Sequence, residues 1–512
     1  MKRVDKPVGR GLRSAPGTPS GPFKQFALAA AAFLLLSAPF ASAADTRLAD
    51  AVEKQDRAAI TLLLDQRTDL NAAQVDGMTA LHWSVYQDNL DLAKRLVAAG
   101  AAVKTENRYG VTPLSLACTN GNTAMVELLL TAGADPNKPL RGGETPLMTA
   151  ARTGLTGPVK ALLDHGATVD AKDAQSQTAL MWAAADGQVA VVNQLIAAGA
   201  DLRTPLATGY TPLFFAVREG RTEVVRALLK AGLPINEPMQ PKRTGGKFPK
   251  VGTTPLHLAV ENGHFELAVA LLDAGANPND QGPGYTPLHM MTWVRKPSSG
   301  DDGDPSPVGS GNLNSLQFVR QLVAHGANVN LRLEKGVAGG GRLTRKGATA
   351  FLLASETADL PLMHLLLELG ADPMLPNAEH ATPLMAAAGV GTRAPIEEAA
   401  TEDEALEAVQ LLLSLGADIN TVDDNGETAM HGAAYANFPK MVHFLAAKGA
   451  KIEIWNKKDK LGWTPQLVAE GHRPGNFKPS YETLDAVKEV MIANGVTPPP
   501  PTPYIPVMGY GK

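Results

Sequence analysis

Apolar residues in this chain fall into pairs of short runs, each pair opened by a threonine and closed by glycine. The threonines stand at Thr79, Thr112, Thr145, Thr178 and Thr211, four consecutive steps of 33 residues. In the unit around Thr145 the segment Gly143-Glu144-Thr145-Pro146-Leu147 reads as a turn and a helix start. Threonine suits the N-cap, proline the first turn, where its missing N–H costs nothing, and leucine enters the core. Ala150 and Ala151 let neighbouring first helices approach closely, and Gly154 ends the helix. Val159–Leu163 forms a second helix, and Gly166-Ala167 supplies a left-handed turn into the next unit. Such a unit cannot bury its apolar face alone, so the pattern predicts stacked units held by their neighbours.

The register continues at Thr254, Thr286, Thr349, Thr382, Thr428 and Thr464, and a degenerate first unit precedes it, with helices over Leu48–Glu53 and Ala58–Leu64. The 33-residue step and the recurring variants of Thr-Pro-Leu-His-x-Ala, complete at Thr254 to Ala259, resemble the ankyrin-repeat family. The resemblance implies an all-α fold, an ankyrin-repeat solenoid of stacked helix pairs with β-hairpin fingers. It extends over residues 44–496 in about twelve repeats. It also implies that function sits in a binding surface, with protein partners meeting a concave groove. At the far end, Gln466 stands where leucine belongs, a closing helix is expected over Thr483–Asn494, and residues 497–512 form a proline-rich tail.

Charge and hydropathy at the N-terminus supply an address. Lys2, Arg3, Lys6, Arg10, Arg13 and Lys24 precede an apolar run from Phe26 to Leu36, and Ala41-Ser42-Ala43 offers a cleavage site. Residues 1–43 therefore read as a bacterial-type signal peptide, with a periplasmic or secreted product and no stable membrane insertion after cleavage. The mature chain would carry 41 basic and 50 acidic residues, a net charge of −9. That balance speaks against nucleic acid as a partner. Cys118 is the only cysteine, so no internal disulfide staples the fold, and its place among small helix residues marks a buried thiol.

No motif for catalysis is present: HExxH, the GxSxG elbow and Walker A are all missing, and the GxGxxA match at Gly389–Ala394 follows a helix rather than a strand. No catalytic residue, cofactor or metal is expected. His82, His257, His289 and His431 occupy a position held elsewhere by Met148, Phe214 or Leu352, so they read as structural.

Four insertions interrupt the register near residues 237–252, 296–312, 333–345 and 389–404. The first and third lengthen fingers and are basic, with Lys242, Arg243, Lys247 and Lys250 in one and Lys335, Arg342, Arg345 and Lys346 in or beside the other. The second and fourth are acidic, with Asp301, Asp302, Asp304, Glu397, Glu398, Glu402, Asp403 and Glu404. The resemblance places the residues before each threonine and the ends of the first helices on the groove. Tyr86, Arg108, Tyr109, Arg152, Tyr210, Arg218, Tyr285, Trp293, Tyr435 and Trp463 fall there, and with Lys242, Arg243 and Lys247 they are the candidate binding residues. The partner implied is a protein with an acidic surface. A support protein that docks on and protects a periplasmic enzyme, or a host-directed effector, would carry the same features.

Overall fold

The computed structural model describes residues 45–242, 250–297, 306–336, 343–392, 400–472 and 478–502. The signal segment, Arg243, Lys247, Arg342, Asp301, Asp302, Asp304, Glu397 and Glu398 lie outside the described residues. The chain divides into two compact units, Met1–Ala183 with Ala190–Ala200, and Ala184–Val189 with Asp201–Lys512.

Within each unit short helices come in consecutive pairs, as in Ala80–Tyr86 with Leu90–Ala98, and Pro287–Arg295 with Ser315–Ala324. The threonine explains where the first helix begins. Thr79, Thr145, Thr254 and Thr286 adopt extended backbone, and each hydroxyl accepts the N–H three residues on. Each such cap is worth about 1 kcal/mol. Ala150 and Ala151 are fully buried, Gly154 ends its helix in the left-handed region, and the second helix there runs Thr156–Asp164. Cys118 is buried, and burial pushes its thiol pKa up, which keeps it protonated and inert.

Buried histidines bond one repeat to the next. His82, His257 and His289 bring Nε2 to within 3.1, 2.9 and 3.2 Å of the carbonyls of Val111, Tyr285 and Ala348, the residues just before the following threonines. Nδ1 meets the hydroxyl of the histidine's own capping threonine at 2.8, 2.7 and 2.7 Å. A carbonyl can only accept, so Nε2 carries the proton and Nδ1 accepts from threonine. His431 likewise meets its own capping Thr428 through Nδ1, but its Nε2 reaches the carbonyl of Lys457, earlier in the next finger. Methionine or phenylalanine at this position fills the space without this bond.

The fingers are tight turns; among the described residues no β-strand forms. Asn107 illustrates the closure, its side-chain oxygen accepting the N–H groups of Tyr109 and Val111, while Arg108 N–H reaches the Asp76 carbonyl of the preceding finger at 2.8 Å. Gly143, at φ 81°, lies so near the next finger that a Cβ there would stand 2.9 Å from the Ala174 nitrogen. Both basic insertions hang from closed bases: Met239 pairs with Thr253 at 2.8 Å, and Leu333 with Ala348 at 3.0 Å.

The fourth insertion is shorter than the register implies, because helix Glu402–Ser414 starts inside it behind a Thr401–Glu404 capping box. Its described acidic residues, Glu402, Asp403 and Glu404, are held in structure, Glu402 accepting the Met441 N–H at 3.1 Å. Asp403 pairs with Lys440 at 2.7 Å and Glu404 with Lys296 at 3.0 Å, and their charge suits a helix N-terminus. Arg295, at the end of Pro287–Arg295, donates to both carboxylate oxygens of buried Asp359 at 2.8 and 3.0 Å.

At the C-terminal end, helices Pro465–Ala469 and Tyr481–Ala493 close the array. The start of the tail lies on them. Gln466 Nε2 donates to the Pro499 carbonyl at 3.0 Å, and Thr502 N–H to Glu470 Oε2 at 3.2 Å. Gln466 replaces leucine because it faces this strap rather than another repeat.

Candidate protein-binding cleft

The fourth and seventh residues after each capping threonine lie one helical turn apart on the same side. In the first unit, Trp83 and Tyr86 meet edge to face at 5.6 Å, and the Arg152 guanidinium stands 4.8 Å from the Trp182 ring. In the second, Arg218 lies 5.2 Å from the ring of Tyr210 and 5.1 Å from that of Phe215.

A hollow forms where two of these features coincide with the basic fingers. Tyr285 precedes the Thr286 cap and Trp293 lies two turns into the same helix, so the rings meet at 4.9 Å and 82°. Lys250 Nζ, at the base of the first finger insertion, stands 4.6 Å from the Tyr285 ring, and the Arg345 guanidinium, from the other insertion, stands 5.3 Å from Trp293. Each such contact is worth about 0.5–1 kcal/mol at an exposed site and more when desolvated. Leu333 and Pro283 complete an apolar floor, Lys335 stands at the rim, and the cleft holds about 390 Å³. Partial desolvation, then the charge of Arg345, lowers the Lys250 pKa from its ordinary value, with Glu261 acting the other way. Burial first, and then Glu261, pushes the Tyr285 phenol up.

The thirteen candidates thus separate. Tyr285 and Trp293 share the cleft, and Tyr210 and Arg218 share the neighbouring cluster. Tyr86, 57% exposed, and Tyr109, 52% exposed, lie in the first unit with Arg152; Arg108 there lends its carbonyl to Arg141. Lys242 is exposed, its backbone N–H bound to the Ala207 carbonyl. Arg243 and Lys247 fall outside the described residues. Tyr435 is not on a surface: it is 2% exposed, packed with Ala434 and Val468 against Trp463, and its hydroxyl donates to Asp459 at 3.1 Å. The next finger, closed on Asp459, folds over it, so Tyr435 belongs to the core and Trp463 to its cover. Glu427 beside it is pushed up to about 8, by burial and then by the charges of Asp423 and Asp459. Lys250, Lys335 and Arg345 carry charge in the sequence, but their convergence on two rings comes from folding. Trp182 and Phe215 were legible in principle, since both lie four residues after a capping threonine.

Comparison with known families agrees with this architecture. Residues 48–140, 139–205 and 186–282 match a family model described as ankyrin repeats (3 copies), and residues 396–446 match ankyrin repeats (many copies). The chain belongs to the ankyrin-repeat family. It is similar to the E3 ubiquitin-protein ligase KEG of Arabidopsis thaliana, with 27% identity over 196 residues, which is 34% of this chain and 11% of that protein. The chain thus spans about a tenth of that ligase's length. Among solved structures, the human ASB11 ankyrin repeat domain is 27% identical with a TM-score of 0.38, the likeness covering 45% of this chain and 98% of that one. An array of this family is a protein–protein interaction module, its binding surface built from stacked repeats.

Proposed function

We propose that this chain is an exported, noncovalent scaffold that holds an acidic protein partner against the fingers of its second unit. The observation that carries the reading is the gathering of Lys250, Lys335 and Arg345 around Tyr285 and Trp293. Aromatic residues and arginine are the side chains that dominate interface energies. Positive charge concentrated on an acidic molecule steers an acidic partner to that place and raises the encounter rate. Export rests on the basic N-terminus and apolar run ahead of Ala43, which have the layout of a secretory signal.

The test is crosslinking from inside the site. A photoreactive amino acid at position 335, with a second variant carrying it at exposed Leu62 as control, is expressed in the native host and the periplasmic fraction is irradiated. Capture of a defined protein from position 335 and not from 62 is the expected result. Recovery of the chain only from the cytoplasm removes the export reading, and equal labelling from both positions removes the site.

A further inference from the structure

We propose that the cleft binds one carboxylate side chain, with an adjacent apolar side chain, from an extended acidic segment of the partner; this rests on the protein-binding reading above. Charge gives the first argument. Among the described residues the lining holds Lys250, Lys335 and Arg345 and no carboxylate; the buried carboxyl of Glu261 acts on Lys250 from outside that lining, its own pKa raised by burial. Elsewhere in the second unit several basic residues are spent on ion pairs, Arg295 on Asp359, Lys296 on Glu404 and Arg320 on Glu368, and Arg332 beside the cleft donates to the Gly347 carbonyl. Among the described residues, Lys250 and Arg345 form no ion pair, and their charges lie over aromatic rings instead.

Geometry gives the second. A guanidinium held over Trp293 keeps its N–H edge free for a carboxylate, the planar acceptor that it matches with two parallel hydrogen bonds. Desolvation of Lys250 raises the gain from an incoming negative charge, since its attraction is less screened there. The floor of Leu333, Pro283 and ring edges accepts an apolar neighbour of the acid. A volume of 390 Å³ is at the small end of the ligand-cleft range of about 300–1,000 Å³. It suits two side chains of an extended segment rather than the face of a helix.

Calorimetry on the full chain tests this with the peptide Gly-Ser-Glu-Leu-Ser-Gly, capped at both ends, against its Gln-Leu counterpart and inorganic phosphate. The Glu-Leu peptide is expected to bind and the Gln-Leu peptide to bind at least roughly tenfold more weakly, with 0.5 M salt reducing the difference. Arg345→Met and Lys250→Met, both at exposed positions, should each weaken the Glu-Leu peptide roughly tenfold with no change in thermal unfolding. Equal binding of the two peptides, no binding of either, or tighter binding of phosphate overturns the proposal. If position 335 still crosslinks a partner while both peptides fail, the carboxylate assignment falls and the protein-binding reading stands. Failure of both experiments removes both.

Discussion

His257 ties two repeats together at the edge of the cleft: its Nε2–H donates to the Tyr285 carbonyl at 2.9 Å while its Nδ1 accepts from the Thr254 hydroxyl at 2.7 Å. One buried imidazole thus fixes its own helix start and the backbone from which the cleft's tyrosine projects. His257→Ala leaves a buried hydroxyl and carbonyl without partners. The expected loss is about 1–3 kcal/mol in urea unfolding. Metal content measured before and after the substitution should be the same, because both ring nitrogens serve hydrogen bonds.

Acid should loosen the array through the same residues. Burial, opposed by the carbonyl bonds, lowers the pKa of His82, His257 and His431, and takes His289 down to about 4. The unfolded chain then binds protons more readily than the folded one between about pH 6.5 and 4, so stability present at pH 7 is lost as pH falls through that window. His289→Met, the residue used at Met385 in a later repeat, should flatten the fall in urea midpoint between pH 7 and 4. An unchanged slope would place the acid sensitivity elsewhere.

The opposite sign holds at the last repeats. Glu427, with its pKa raised to about 8, is protonated in the folded state at neutral pH. Its contribution is therefore present in acid and lost as pH rises from about 4.5 through 8. Glu427→Gln keeps the size and removes the charge. The variant should gain at least about 1 kcal/mol over the parent at pH 9, with a smaller gain at pH 6.

Arg295 and Asp359 form a buried pair, the side chains 15% and 5% exposed. Removing one partner strands the other charge, and Asp359 also caps helix Leu360–Glu368. Arg295→Met should cost about 3–5 kcal/mol by denaturant unfolding. Adding Asp359→Asn, which keeps a capping oxygen, should recover part of it.

Much of the repeat architecture was readable because each step rests on local chemistry: threonine caps, proline in the first turn, glycine at the helix end. The aromatic pair of Tyr285 and Trp293 was readable for the same reason, since one helix start positions both. Lys250 and Arg345 meet around it only because two loops of unequal length close on Met239–Thr253 and Leu333–Ala348, and no sequence period encodes that. Tyr435 misled because it occupies the same position after its threonine as Trp293. What differs is the next finger, whose Asp459 offers the tyrosine hydroxyl a buried acceptor.

The strap of Pro499 and Thr502 over Gln466 and Glu470 gives the last described repeat a polar cover. Each interior repeat is a template that a following repeat completes, and an unsealed last repeat would offer that template to another molecule. Here the chain supplies its own polar stop, with a glutamine amide and a glutamate carboxylate taken up by the tail's backbone. On the last described repeat, the groups that would face a further repeat are thus met by the chain's own backbone.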